Sequence, residues 1–338
     1  MTSGSDDLLE VQTPDSGSFY DGSTASGIRQ AVGKWRDTYK PEKDIPHLTG
    51  KVFFITGGTA GIGKETVVPI ARHQPEHIVF TGRDSRKGEN LIEEVKAIVP
   101  DVRISFISCD LASLGSVKEA ASKFTSLSSR LDVLICNAGI MGVPPGLTQD
   151  GYEVQLGVNH LGHAFLIKLL LPTLLRTAEE PKSDVRIVTV SSNGHRHPPP
   201  GGILFDSLRT TQQEVIGAAM TRYCQSKLAN ALYASELARR YPNITSVSVH
   251  PGIVNTALTD SSTWFTRAFL FVWTSWRQVT PEEGAYNQVW ASTVDRTIIK
   301  NGAYYDPVGV LSTPGKDAQD EGLAKKLWEW TEEELKKY

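Results

Sequence analysis

The chain predicts an α/β protein built on a single doubly wound parallel sheet of about seven strands, with helices on both faces. Three observations carry this. From Lys51 onward, short β-branched runs alternate with longer segments of helical period. The runs are continuously apolar, as in Val-Leu-Ile-Cys at 133–136, which suits strands buried on both faces. A glycine-rich turn at 57–63 joins the first run to the first helical segment.

In chain order the strands read 52–56, 78–82, 103–109, 131–136, 185–191 and 245–250, with 303–306 as a seventh. Helical periodicity covers 64–73, 86–98 and 113–124, and Asp84 and Ser113 stand where N-caps belong. No internal repeat is visible. Residues 1–48 read as an N-terminal extension, in which 28–39 suit a short helix, and 49–338 as one folded unit. The extension's first 27 residues are rich in Ser, Gly and Asp, unlike a secretory signal or an Arg-rich transit peptide. No apolar run approaches the roughly 20 residues that a membrane span needs.

The bulk numbers exclude some classes of function. With 338 residues, 40% of them hydrophobic, the chain can bury a substantial core. Its 35 basic and 38 acidic residues give a net charge of −3, which offers no electrostatic case for nucleic acid or an anionic membrane. Three widely spaced cysteines argue against a disulfide framework and for a reducing compartment, so a cytoplasmic setting is expected.

The turn reads Gly57-Gly58-Thr59-Ala60-Gly61-Ile62-Gly63, a Gly-x-x-x-Gly-x-Gly spacing. Glycines there permit a tight turn and close backbone approach, leaving a helix N-terminus facing a pyrophosphate. Farther along lies Tyr223-Cys-Gln-Ser-Lys227. On a helix, residues four apart share a face, so Lys227 can act on Tyr223. At about 4 Å and an effective dielectric near 20, one ammonium is worth roughly 4 kcal/mol. Lowering a phenol from about 10 towards 7 needs about the same, so the pair suits proton transfer.

Taken together, these motifs resemble the short-chain dehydrogenase/reductase family, over roughly 49–309, in particular its retinol-dehydrogenase-like branch and the fungal reductases of secondary metabolism. The resemblance rests on 56–63, Asp110-Leu111, Asn137-Ala138-Gly139, Val158-Asn159-His160-Leu161-Gly162-His163, Val190-Ser191-Ser192, Tyr223 to Lys227, and Pro251-Gly252-Ile253-Val254-Asn255-Thr256. It implies a Rossmann-type fold and a catalytic tetrad of Asn159, Ser192, Tyr223 and Lys227. Ser192 would hold the substrate oxygen, Tyr223 exchange its proton, Lys227 depress the tyrosine pKa and bind the nicotinamide ribose, and Asn159 hold a relaying water. Ser191 is the rival for the serine role, since strand alternation turns neighbours to opposite faces.

Cofactor contacts are expected from Gly57, Thr59, Gly61, Ile62, Gly63, Lys64, Arg83, Asp110, Leu111, Asn137, Tyr223, Lys227, Val254 and Thr256. Asp110 can accept from an adenine amino group or cap the next helix, and Thr256 can bond the nicotinamide carboxamide or cap a helix. The second strand ends in Gly82, where an NAD enzyme usually carries a carboxylate, and Arg83 follows. A guanidinium binds a 2′-phosphate bidentately, so NADP(H) is the expected cofactor.

Two segments point to the substrate. The link from Ser192 to Tyr223 spans 31 residues, and the insert at 194–221 is expected to form part of the substrate rim. His195 and His197 in it lack the further ligands a metal needs and read as a solvated loop. In the lid region, 257–280, Phe265, Phe269, Val272, Trp273 and Trp276 share one helical face. That face suits a core or dimer contact, a cover for a lipophilic small-molecule substrate, or shallow membrane contact. A homodimer through the helices carrying Asn159 and Tyr223 is a further expectation, with 167–175 as its apolar surface; those residues could equally face the sheet. The expected activity is NADP(H)-dependent interconversion of a carbonyl and an alcohol. Reduction of an activated double bond, or a non-catalytic NADP-sensing role, are the alternatives.

Overall fold

The computed structural model describes residues 39–215, 218–254 and 278–338. All but the last residue of the expected helix at 28–39, together with Thr256 and nearly all of the 257–280 region, therefore lie outside the described residues. A single helical turn at Pro41–Asp44 leads into β1 (Val52–Ile55), α1 (Gly61–Arg72), β2 (His77–Gly82), α2 (Ser85–Ile98) and β3 (Ile104–Ser108). There follow α3 (Leu114–Leu127), β4 (Val133–Cys136), the long α4 (Val154–Ala178), β5 (Arg186–Val190), α5 (Ala218–Arg240) and β6 (Thr245–Val249). The chain closes with β7 (Ile253–Val254), β8 (Gln278–Val279), α6 (Pro281–Thr293), β9 (Tyr304–Asp306), β10 (Val310–Ser312) and α7 (Glu321–Leu335).

The main sheet has the order β10-β9-β6-β5-β4-β1-β2-β3, and every neighbouring pair is parallel except β9–β10. The eighth strand exceeds the expected seven because Gly309, at φ +69°, turns the chain back on itself and lets β10 pair with β9. The order reverses direction between β1 and β4, which opens a crevice at the carboxyl ends of those strands.

Strand alternation sorts the core. Val52, Phe54, Leu134 and Cys136 bury on one face with α3, α4 and Trp328 of α7. Phe53, Ile55, Val133 and Ile135 bury on the other face with α1, α2 and α6. Both expected caps are present: Asp84 accepts from Lys87 N–H at 3.2 Å and Ser113 from Ser116 N–H at 3.3 Å. α4 is long and apolar enough to cross a membrane, yet 72% of its most apolar window is buried inside the fold.

Candidate active site

The glycine turn is built by close approach. Gly57 and Gly61 have φ of +67° and +53°, which few side chains tolerate. A Cβ on Gly63 would stand 2.2 Å from the Gly57 carbonyl oxygen and 2.4 Å from Asn137 Nδ2. Helix α1 thus starts at Gly61, three residues before its expected beginning, because its first turn packs directly on the strand end. No side chain caps that helix at Ala60. Its first N–H groups are left to an anion, so the turn fits a pyrophosphate.

Thr56 ties this turn to the rest of the crevice. Its Oγ1 accepts from the N–H groups of Asn137 and Ala138, at 2.9 and 3.0 Å, and pairs with His163 Nε2 at 2.8 Å. Asn137 donates to the Thr56 carbonyl at 2.8 Å and accepts from Gln288 of α6 at 3.1 Å. Thr59 lies against Gly82, where a Cβ would meet its Cγ2 at 2.5 Å. Ile62, Val254 and Gly284 converge in the same way, with Cβ distances from Gly284 of 2.8 Å to Ile62 and 2.5 Å to Val254.

Asp110, after β3, accepts through Oδ1 from Ala112 N–H at 3.0 Å, so part of the carboxylate serves the local turn. Leu111 is buried against Gly162 of α4. Arg83 is exposed, with no ion-pair partner among the described residues, whereas Lys64 pairs with Glu94 at 2.5 Å.

The four tetrad positions come from three places: α4 carries Asn159, the end of β5 leads to Ser192, and α5 carries both Tyr223 and Lys227. Asn159 lies in a π-helical turn of α4, Gly157–Leu161. Its Oδ1 accepts from Ile140 N–H at 2.8 Å and its Nδ2 donates to Ser226 Oγ at 2.9 Å, while Ser226 donates to the Tyr223 carbonyl at 2.7 Å. Ser226 was not singled out in the sequence, although it stands inside the Tyr-Cys-Gln-Ser-Lys run. Ser191 is buried, and its Oγ donates to the Lys227 carbonyl at 2.8 Å. Ser192 faces the other way, capping the next turn at Gly194 N–H, 3.1 Å, and hydrogen-bonding Tyr223.

Tyr223 and Lys227 share the buried face of α5. Burial pushes the Tyr223 phenol up to about 12, with the Ser192 hydrogen bond opposing. Burial also pulls Lys227 down to about 8. Lys227 Nζ donates to the Val190 carbonyl at 2.9 Å and stands 5.7 Å from the Tyr223 ring centre. Desolvation is the largest influence on the phenol in this geometry. Burial thus favours the neutral phenol.

One sequence expectation changes: His195 is not in a solvated loop but fully buried. No group of His, Cys, Asp or Glu suited to a metal occurs among the described residues. Within the 194–221 insert, Ile203 and Leu208 pack into a third core cluster with Leu327 of α7.

The short chain dehydrogenase family model matches residues 51–207. A short-chain dehydrogenase/reductase of Aspergillus calidoustus, drtF, is 36% identical over 87% of this chain and 96% of its own. The chain belongs to the short-chain dehydrogenase family. Members of this family bind nicotinamide cofactors, and the glycine turn, Asn137 and the crevice at the β1–β4 reversal fit one. Retinol dehydrogenase 11 of Mus musculus is 36% identical over 83% of this chain and 85% of its own. Among solved structures, an uncharacterized protein of Mycobacterium Paratuberculosis superposes with a TM-score of 0.68 at 30% identity, covering 88% of this chain and 97% of that one.

Proposed function

We propose that this oxidoreductase uses NADP(H) to interconvert a carbonyl and an alcohol on a lipophilic small molecule, with reduction as the working direction. The observation that carries the reading is the convergence of Ser192, Tyr223, Lys227 and Asn159 at the mouth of the crevice beside the glycine turn. A bound nicotinamide supplies the hydride. Ser192 Oγ–H donates to the carbonyl oxygen and orients it. Tyr223 gives its hydroxyl proton to that oxygen as the C–O bond becomes an alcohol, and takes it back in oxidation. Lys227 stabilises the phenolate left behind and binds the ribose. Asn159, anchored on Ile140, holds the water that returns a proton to Lys227.

Three features support NADP(H) over NAD(H): Gly82 in the usual carboxylate position, the exposed Arg83 with no ion-pair partner among the described residues, and Asp84 engaged in capping α2. Arg83→Ala is expected to weaken NADPH binding at least about tenfold while leaving NADH within about twofold. An unchanged NADPH affinity would overturn the cofactor choice. The retinol dehydrogenases among the relatives support a lipophilic substrate, and the fungal relative suits a role in secondary metabolism. Three free, buried cysteines support a cytoplasmic setting.

The reaction is tested by following NADPH oxidation against lipophilic ketones, aldehydes, quinones and activated alkenes, with Tyr223→Phe as control. Carbonyl turnover lost in the variant is the expected result. Turnover of alkenes alone would replace the reading with double-bond reduction, and tight NADPH binding with no turnover would favour a sensing role.

A further inference from the structure

His195 is joined at both ring nitrogens. Nδ1 lies 2.7 Å from the Ser192 carbonyl oxygen and Nε2 2.9 Å from the Gly315 amide nitrogen. A carbonyl can only accept and an amide N–H can only donate, so Nδ1 carries the proton and Nε2 the lone pair. Both bonds require the neutral ring. A proton added at Nε2 would point at the Gly315 N–H. Burial accordingly pulls His195 down to about 4.

The ring also packs on Tyr304, with centroids 4.5 Å apart. Its neighbours reinforce the same junction. Arg196 Nη2 donates to the Thr313 carbonyl at 2.8 Å, and Tyr304 donates to Asn193 Oδ1 at 3.1 Å. A Cβ on Gly315 would stand 3.1 Å from Arg196 Cα, so the two backbones are in close contact. The 3-10 turn Asn193–Arg196 is thus fastened to the segment following β10.

The other side of that turn touches the proton donor. A Cβ on Gly194 would lie 3.3 Å from Tyr223 Cε1 and 3.6 Å from Ser192 Oγ. The Ser192 carbonyl accepts twice from His195, through the backbone N–H at 3.0 Å and through the ring. This fixes the peptide plane from which the Ser192 side chain departs.

We propose that His195 is a positioning residue: as a neutral clamp between the Ser192 carbonyl and Gly315, it holds the Ser192 hydroxyl against Tyr223. The proposal rests on the carbonyl-reductase reading for the role of Ser192, while the clamp itself stands on the geometry alone. It gives the C-terminal segment a direct mechanical connection to the reacting groups.

Three variants separate the two bonds. His195→Asn keeps a donor where Nδ1 stands but nothing that reaches Gly315. His195→Gln places an acceptor near Nε2 and lacks the short donor, and His195→Phe removes both. With the best carbonyl substrate of the wild type, His195→Gln and His195→Phe are expected to lower kcat about ten- to a hundredfold, with NADPH affinity within about twofold. His195→Asn, which keeps the Ser192 bond and loses the Gly315 one, is expected to lower kcat by less, about three- to tenfold. Equal losses in Asn and Gln, or a kcat for Phe within about threefold of wild type, would overturn the positioning role.

A second measurement needs no substrate. Long-range proton–nitrogen spectra of the wild type, assigned by the signals missing in His195→Phe, should show the neutral Nδ1–H tautomer between about pH 5 and about pH 8. An Nε2–H tautomer or a protonated ring in that range would overturn the clamp. A wild type that reduces no carbonyl defeats the reductase reading, and the spectra still decide the clamp.

Discussion

Lys227 spends its buried ammonium on the backbone: Nζ bonds the Val190 carbonyl at 2.9 Å, a carbonyl that Asn230 Nδ2 also reaches at 3.1 Å. The lysine is therefore held charged in a desolvated place for which the fold has little structural need. Its pKa falls from 10.5 to about 8, so the folded protein binds that proton less well than the unfolded chain.

That fall corresponds to roughly 3 kcal/mol at about 1.36 kcal/mol per pH unit. For this group the unfolded state carries more protons between about pH 8 and about pH 10.5, so its contribution to stability rises with pH across that window. Below about pH 8 the full destabilisation is present. Lys227→Met should raise stability at pH 7 by about 1–3 kcal/mol and abolish turnover. Val190 keeps its bond from Asn230. Thermal unfolding of the variant checks it, and a lower melting temperature than wild type would contradict it.

Ser191 and Ser192 divide structure from chemistry. Ser191→Ala removes a buried bond to the Lys227 carbonyl and should cost about 1 kcal/mol of stability, with kcat within about threefold. Ser192→Ala should lower kcat about a hundredfold and leave stability nearly unchanged. Chemical denaturation beside steady-state kinetics separates them. The reverse pattern would transfer the substrate-holding role to Ser191.

The C-terminal helix packs on α5 and on the first half of α4, part of the surface expected to pair two subunits. Trp328 stacks on Tyr233 of α5 with centroids 4.9 Å apart and planes 15° from parallel, and Arg240 lies over the same indole at 4.6 Å. His160 of α4 bonds Thr331 at 3.0 Å, while Ile167, Leu170 and Leu174 are buried in the core. The full chain should thus be monomeric through this face in light scattering. Removing residues 321–338 should expose it and produce association or aggregation. Trp328→Ala should cost about 3–5 kcal/mol.

Glu334 anchors the same helix. Burial would raise its carboxyl, but hydrogen bonds from Arg209, Tyr152 and Lys337 hold it down to about 2. A depressed carboxyl contributes stability above its unfolded value, near 4.5, and loses it as pH falls towards about 2. Glu334→Gln should lower the melting temperature at pH 7 and flatten its acid dependence between those values. A wild-type curve that keeps its slope in the variant would assign acid sensitivity elsewhere.

What the sequence determined by itself was local or periodic. Alternating apolar runs specified the parallel sheet, Asp84 and Ser113 marked their helix starts, and spacing alone put Tyr223 and Lys227 on one helical face. These depend on the few residues around each position, whose backbone geometry is nearly independent of the rest of the fold. Tertiary structure decided the remainder. Whether Ser191 or Ser192 faces Tyr223 depended on which side of β5 meets α5. The burial of His195 depended on Gly315, 120 residues away. The packing of α7 on α5 and the first half of α4 depended on residues some hundred positions away in the chain, and the pKa values of Tyr223 and Lys227 on how completely the assembled elements exclude water. Each is set by long-range packing and desolvation, which no short stretch of sequence encodes.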